Sequence, residues 1–505
     1  MFKSIFRLLL CLGHGMLCCQ IMIGIWLSGG QADAASEQPN IILIIADDFG
    51  PEMGAYGDLN DLTPNLDALA ASGAMFLNGH VTAASCSPSR GSMFTGLYPH
   101  QHGMFGLSHI NGAPPMHDDV PKLPNELKRL GYTTAIVGKT HFQPFDQFDW
   151  DYVETNGQKV VYERNVRWMN EKGFGFIDAH KDSGPLFLVM SYVDPHRGGP
   201  AYGPGKNQEF PRVVSGLPEV PIPPDATHPI PYLAVDTPAV RSEISDYYAA
   251  VQRLDVGVGE FMTGLDQRLV PENTLIVFIG DHGADVTRGK ISAYHSATHI
   301  PYLVRWTQHI SAGQIRDELV STIDLFPSFL DAAGAETVKP DVRQTGLSFI
   351  DLLCGKRSSS EWREYLFTEY LTHVPWHLYP RYTVFDGRFH YILNIWGDER
   401  ENPLVAREYD EAWLAATAPG FSDLKVAAAY ARVEKPPQNE LFDLQKDPFS
   451  LINLADNPEY AQLLRQAYVR LNEWRLETKD PFLDSEFLAD FDQQMQAIHE
   501  AYKKR

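Results

Sequence analysis

Cysteine is scarce in this chain. Five occur in 505 residues, and Cys11, Cys18 and Cys19 crowd into the N-terminal apolar stretch, which leaves Cys86 and Cys354. A disulfide-stapled scaffold is excluded, so a hydrophobic core has to hold the fold. Positive charge is also short: 42 Lys and Arg stand against 64 Asp and Glu, a formal charge of −22. That excludes a generally basic protein that coats nucleic acid. A site for an anionic ligand has to be locally positive against this acidic background. Runs of like charge, low-complexity tracts and internal repeats are absent. What is present is ample core material, 44% hydrophobic against 21% charged, in a chain too long for one ordinary domain.

Residues 1–34 read as a secretory signal, with Lys3 and Arg7 ahead of an apolar stretch and a small-x-small cleavage site at Ala32-Asp33-Ala34. Gly13-His14-Gly15 interrupts the stretch and leaves Met16 open as the start. A membrane anchor is the competing reading; the Gly-rich end and the cleavage site favour removal. The expectation is a secreted or periplasmic protein with no membrane contact after cleavage.

Two textures follow. Ile41-Ile42-Leu43-Ile44-Ile45 is a short β-branched run of the kind buried in parallel sheets, and similar runs lie at 134–137, 186–190, 275–279 and 302–306. Helical patterns at 122–130, 240–265 and 324–333 alternate with them, and Thr63-Pro64 opens another helix. This predicts an α/β domain over 35–360 with a mostly parallel sheet flanked by helices. The stretches 198–236 and 334–346 read as long loops. After residue 360 come short strands at 365–370, 382–386, 389–395 and 440–444, with Asp386-Gly387 as a hairpin turn, and a long helix over 458–478. A smaller α+β domain with an antiparallel sheet is expected over 361–505.

The strongest local signal is Cys86-Ser87-Pro88-Ser89-Arg90. Ser87 suits an N-cap and Pro88 the first helical position, which puts Cys86 just outside a helix N-terminus, where unpaired amides and the macrodipole attract an anion. Arg90 lies about one turn further on. A nucleophile position, a positive helix end and a guanidinium together suit attack on an oxyanion. Two acidic pairs, Asp47-Asp48 and Asp281-His282, each follow a predicted strand. In open α/β sheets ligands gather at the carboxyl ends of strands, so the pairs can converge. Three carboxylates form a hard-oxygen set suited to calcium or magnesium.

This segment, continued by Gly91-Ser92-Met93-Phe94-Thr95-Gly96, resembles the signature of the type I sulfatases. The resemblance implies an alkaline-phosphatase-like fold and a Cys86 oxidised to formylglycine, whose gem-diol attacks the sulfur of a sulfate ester or sulfamate and then expels sulfate by collapsing to the aldehyde. It implies one calcium ion per chain, with magnesium the alternative, held by Asp47, Asp48, Asp281 and residue 86. His282 departs from the commoner Asn and sits on or beside the ion. Gly138-Lys139-Thr140-His141, Asp194-Pro195-His196 and Gly289-Lys290 match the family's sulfate pocket position by position. By that likeness Arg90, Lys139 and Lys290 neutralise the sulfate, His141 acts on the nucleophile's hydroxyl, and His196 serves the leaving group. His295 and His299 replace the family's Glu and Arg; pocket wall and outer support both stay open for them. His100 and His102 lack the cysteine partners of a zinc site and read as rim or structure.

A finer likeness is to the heparan N-sulfatase (sulfamidase) branch, carried by His100–Leu107, Asp194-Pro195-His196-Arg197, Thr237–Arg241, Asp255–Gly259 and Glu440–Leu444. It implies release of the N-sulfate of non-reducing-end glucosamine in heparin or heparan sulfate fragments, with the sugar read by loops such as 100–118, 198–236 and 371–381. An O-sulfatase on another sulfated glycan, a phosphatase or phosphonate monoester hydrolase of the same superfamily, and a non-catalytic glycan-binding protein are the competing functions. The partners implied are the sulfated saccharide and a formylglycine-generating or anaerobic sulfatase-maturing enzyme. No nucleic-acid partner is expected, and a homodimer is left open.

Overall fold

The computed structural model describes residues 38–155, 164–198, 209–219, 222–335, 341–403 and 410–504. The segment read as a secretory signal lies outside them, as does part of the loop over 198–236. Residues 38–505 form one compact unit.

Its centre is an eight-stranded sheet in the order β4-β3-β5-β1-β6-β7-β2-β8. The strands are β1 (Asn40–Asp47), β2 (Ala74–His80), β3 (Thr133–Gly138), β4 (Tyr152–Glu154), β5 (Leu186–Pro195), β6 (Thr274–Gly280), β7 (Tyr302–Arg305) and β8 (Gln314–Ser321). Strand β1 shows why the sequence reads as it does. Ile42, Ile44 and Ala46 enter the core on one side of the sheet and Ile41, Leu43 and Ile45 the core on the other. The side-chain period of two therefore needs an unbroken apolar run. Strands β5 and β6 are buried along their whole length for the same reason. The helix Pro238–Asp266, capped by the Thr237 side chain on the Val240 amide, packs on β5. It also carries Tyr247, whose hydroxyl donates to the buried Glu52 (3.0 Å).

Pairing is parallel except at β7, which runs antiparallel between β6 and β2. The run at 302–306 thus forms a buried strand of reversed direction. Strands β2 and β8 were not legible from pattern. Asn78-Gly79-His80 interrupts the apolar run of β2, and β8 is a charged edge with alternating exposure.

The second sheet is fully antiparallel, ordered β12-β11-β10-β9, from β9 (Leu366–Tyr370), β10 (Arg381–Phe385), β11 (Phe389–Asn394) and β12 (Asn439–Asp443). The second sheet begins at Leu366, shortly after residue 360, within the same compact unit. The helix Ala461–Glu477 lies against this sheet, and a last helix, Ser485–Lys503, packs beside the turn Pro375–His377. Cys86 and Cys354 are both free thiols. No helix among the described residues is long and apolar enough to cross a membrane.

Candidate active site

Four adjacent parallel strands end at one place. Lys139 follows β3, His196 follows β5, Asp47 ends β1, and Asp281 follows β6. Parallel alignment brings these carboxyl ends together, as the sequence order predicts. The chain turns sharply there: Asp48 (φ 61°) and His141 (φ 58°) adopt the left-handed region, which Asp and His tolerate better than bulkier residues.

The helix that begins at the expected nucleophile runs from Cys86 to Thr95, and every residue in it is buried. Its start corrects the sequence reading. Ser85, not Ser87, is the N-cap, so Cys86 is the first helical residue and Pro88 the third. Proline is tolerated there because no amide of the first turn has an intrahelical partner. Ser87 instead turns its hydroxyl to Ser108 (3.3 Å).

Arg90 is fully buried, and its donors go to the protein. Nε bonds Asp281 Oδ2 at 2.9 Å and Nη1 bonds Ser191 Oγ at 2.7 Å, with Asp47 Oδ1 3.4 Å from Nη2. Lys139 Nζ lies 2.5 Å from Asp47 Oδ2, and Lys290 Nζ lies 2.8 Å from both Asp48 oxygens. His282 Nε2 stands 3.3 Å from Cys86 Sγ and 3.4 Å from Asp48 Oδ1. His196 Nε2 is 3.8 Å from Asp48 Oδ2. His141 neighbours Cys86, and its Nε2 bonds His109 Nδ1 rather than the thiol. The structure therefore brings together Asp47, Asp48, Cys86, Arg90, Lys139, His141, His196, Asp281, His282 and Lys290, the residues that the resemblance assigns to the site.

The surroundings favour an anion at position 86. Burial alone would raise the Cys86 thiol, but Lys139, Lys290 and His282 outweigh it and hold the group well below its ordinary range. Asp47 is lowered in the same way, with burial outweighed by Lys139 and His196. Asp281 moves oppositely, to about 7, through burial and the neighbouring Asp47 charge.

Donor atoms of Asp47, Asp48, Cys86 and His282 all lie within 4.8 Å of one another. Asp281 stands beside this group, with Oδ1 accepting the Asp48 amide (2.9 Å) and Oδ2 the Arg90 bond. The set fits a divalent cation on its chemistry. Buried carboxylates converge, Asp281 beside them is pushed up by burial and by the Asp47 charge, and oxygen donors suit calcium or magnesium better than the single imidazole does.

The family model for sulfatases matches residues 39–335, more than half of the chain. The chain belongs to the sulfatase family. It is therefore an enzyme, a hydrolase of sulfate groups. A second model, described as "N-sulphoglucosamine sulphohydrolase, C-terminal", matches residues 283–414. Human N-sulphoglucosamine sulphohydrolase is 31% identical, over 92% of this chain and 94% of that protein. An ulvan-active sulfatase of Formosa agariphila is 26% identical, over 88% and 81%. A solved structure described as a complex with its substrate D-glucosamine-2-N,6-O-disulfate superimposes with a TM-score of 0.66 at 20% identity, over 88% of this chain and 99% of that one. That likeness establishes the alkaline-phosphatase-like sulfatase fold.

Three neighbours of the sulfatase site were not read from the sequence. Ser191 sits inside β5 and binds Arg90. His109 Nδ1 lies 2.6 Å from His141 Nε2, and His373 Nδ1 shares a hydrogen bond with Ser85 (2.9 Å). Both are loop histidines, and their only sequence signal is membership of the loops 100–118 and 371–381. His295 and His299 pack with His80 at centroid separations of 4.8–5.3 Å, in a group with Phe385 of the second sheet. His100 bonds Glu369 (2.6 Å) and His102 bonds the Pro88 carbonyl (3.2 Å), so both brace the fold around the nucleophile helix.

Proposed function

We propose that this sulfatase removes the N-sulfate from glucosamine at the non-reducing end of heparin or heparan sulfate fragments. The observation that carries the reading is the match of the N-sulphoglucosamine sulphohydrolase C-terminal model over 283–414, a region reaching beyond the sulfatase core. The 31% identity to the human enzyme and the sulfated glucosamine bound by the structural neighbour support the same sugar. Burial supports exo action: Cys86 is 1% exposed, so a chain end reaches it more readily than an internal unit.

In this reading Cys86 Sγ marks where the hydroxyls of a formylglycine hydrate stand, which supply both the attacking oxygen and, through re-formation of the aldehyde, the release of sulfate. Asp47, Asp48, Asp281 and residue 86, with His282 at or beside them, would hold a divalent cation, which would supply Lewis-acid polarisation of the sulfate. Lys139 and Lys290 neutralise charge on the sulfate oxygens as the S–N bond breaks. Arg90 holds Asp47 and Asp281 in place. His141, beside residue 86, takes the hydroxyl proton, and His196 delivers a proton to the departing amine nitrogen. A maturing enzyme is the partner that converts Cys86. Export under the N-terminal signal and a C-terminal subdomain over 361–505 belong to the same proposal.

The test incubates matured enzyme with defined disaccharides carrying N-sulfate or 6-O-sulfate. Free amine and inorganic sulfate from the first are expected. Release of O-sulfate with the N-sulfate intact refutes the assignment and favours an O-sulfatase on another glycan, the reading that the ulvan-active relative supports.

A further inference from the structure

We infer that Trp376 is the platform on which the pyranose ring of the substrate stacks, and that the C-terminal helix Ser485–Lys503 is what positions it. The inference rests on the glycan reading above and adds the residue that recognises the sugar rather than its sulfate.

Every group gathered at the strand ends is charged or polar and suited to the sulfate. None of them offers a surface to the apolar face of a sugar. An apolar surface does meet residue 86. Cys86, Leu107 and Val374 form a small apolar cluster apart from the main cores, and Ile110 and Trp376 pack against it while remaining partly exposed. Trp376 is the aromatic member of this cluster. The loops that carry this wall are joined by the Leu107 amide donating to the His373 carbonyl (2.8 Å). Pockets for small molecules pair a few convergent polar groups with such apolar or aromatic walls, and the flat indole gives a large contact area with few torsions to freeze.

Trp376 is buttressed rather than free. The His499 ring lies 4.9 Å from it at 29°, and the Tyr502 ring 5.0 Å away at 35°. Three residues apart, these two share one face of their helix and meet the indole from that side. The adjacent Ile498 faces Gly112, where an added Cβ would come within 3.4 Å of Ile498 Cγ1. The last helix thus grips both loops that wall residue 86. Tyr502 and His499 act through Trp376 and are positioning residues.

The test compares matured wild type, Trp376→Ala, Trp376→Phe and Tyr502→Ala on glucosamine N-sulfate. KM, kcat and the inhibition constant of inorganic sulfate are measured for each. Trp376→Ala is expected to raise KM about tenfold or more, with kcat altered by less than about threefold and sulfate inhibition unchanged, because sulfate alone does not reach the platform. Trp376→Phe is expected to restore most of the loss, and Tyr502→Ala to raise KM by a smaller factor. An unchanged KM in Trp376→Ala overturns the inference. So does parallel weakening of KM and sulfate inhibition, which marks collapse of the whole pocket. If the enzyme instead releases O-sulfate, the N-sulfate reading fails, and the same KM series on the O-sulfated sugar decides the platform separately.

Discussion

Glu52 is a buried carboxyl held above its ordinary range, and that makes the stability of this protein fall as pH rises toward neutrality. It is 5% exposed, accepts a hydrogen bond from Tyr247, and is pushed from an ordinary 4.5 to about 7 by burial, with Asp58 adding to the effect. The folded state therefore holds a proton that the unfolded chain has released between these values. Folding binds a proton in that window, so stability declines as pH rises from about 4.5 through about 7. A displacement of about 2.5 units corresponds to roughly 3 kcal/mol, fully present at pH 4 and lost by pH 8. Glu52→Gln removes the titration while keeping an acceptor for Tyr247. The difference in thermal midpoint between variant and wild type should grow in the variant's favour by about 3 °C between pH 5 and pH 8, since a chain of this size unfolds with an entropy near 1 kcal/mol/K. Differential scanning calorimetry across that range measures it directly. A pH-independent difference would refute the reasoning, because it would place the carboxyl's titration below the window.

Cys86→Ala should lower kcat at least about a thousandfold, and peptide mass spectrometry of active wild type should find formylglycine at position 86; full activity in the variant removes the mechanism. Chelation should abolish turnover, and calcium at a hundredfold excess over its dissociation constant should restore it and stabilise the fold by about 2.7 kcal/mol. Zinc at full occupancy by metal analysis would contradict this. His196→Ala should cost roughly a hundredfold or more in kcat on the sulfamate and far less on a sulfate ester of an acidic phenol, which leaves without a proton; equal losses on both count against a leaving-group role.

The chemistry of the site was more legible in the sequence than its framework. Asp47-Asp48 stood out because a β-branched run breaks off into charge, and the same contrast marked Asp281 after β6. Cys86 and Arg90 were legible because proline and serine punctuate the helix start, although the same punctuation misplaced the cap: Ser85 and Ser87 are chemically equal candidates, and only the extended backbone at Ser85 separates them. Strand β8 carries the charges of an edge and so resembles a loop. His109 and His373 were hidden for a different reason. They reach His141 and Ser85 across 32 and 288 residues of chain, a pairing that no local pattern encodes.

The depth of Cys86 also sets an order of events. A side chain with 1% of its surface accessible, at the start of a helix buried from end to end, offers a modifying enzyme nothing to grasp once the chain has folded. The proposed conversion must then win a race against collapse of the sheet, on a chain still extended enough to enter another active site. Folding is the clock. A molecule that folds first is locked out of maturation, and only unfolding returns it to the queue. Slower folding would raise the active fraction and faster folding would lower it, with the final structure the same in either case.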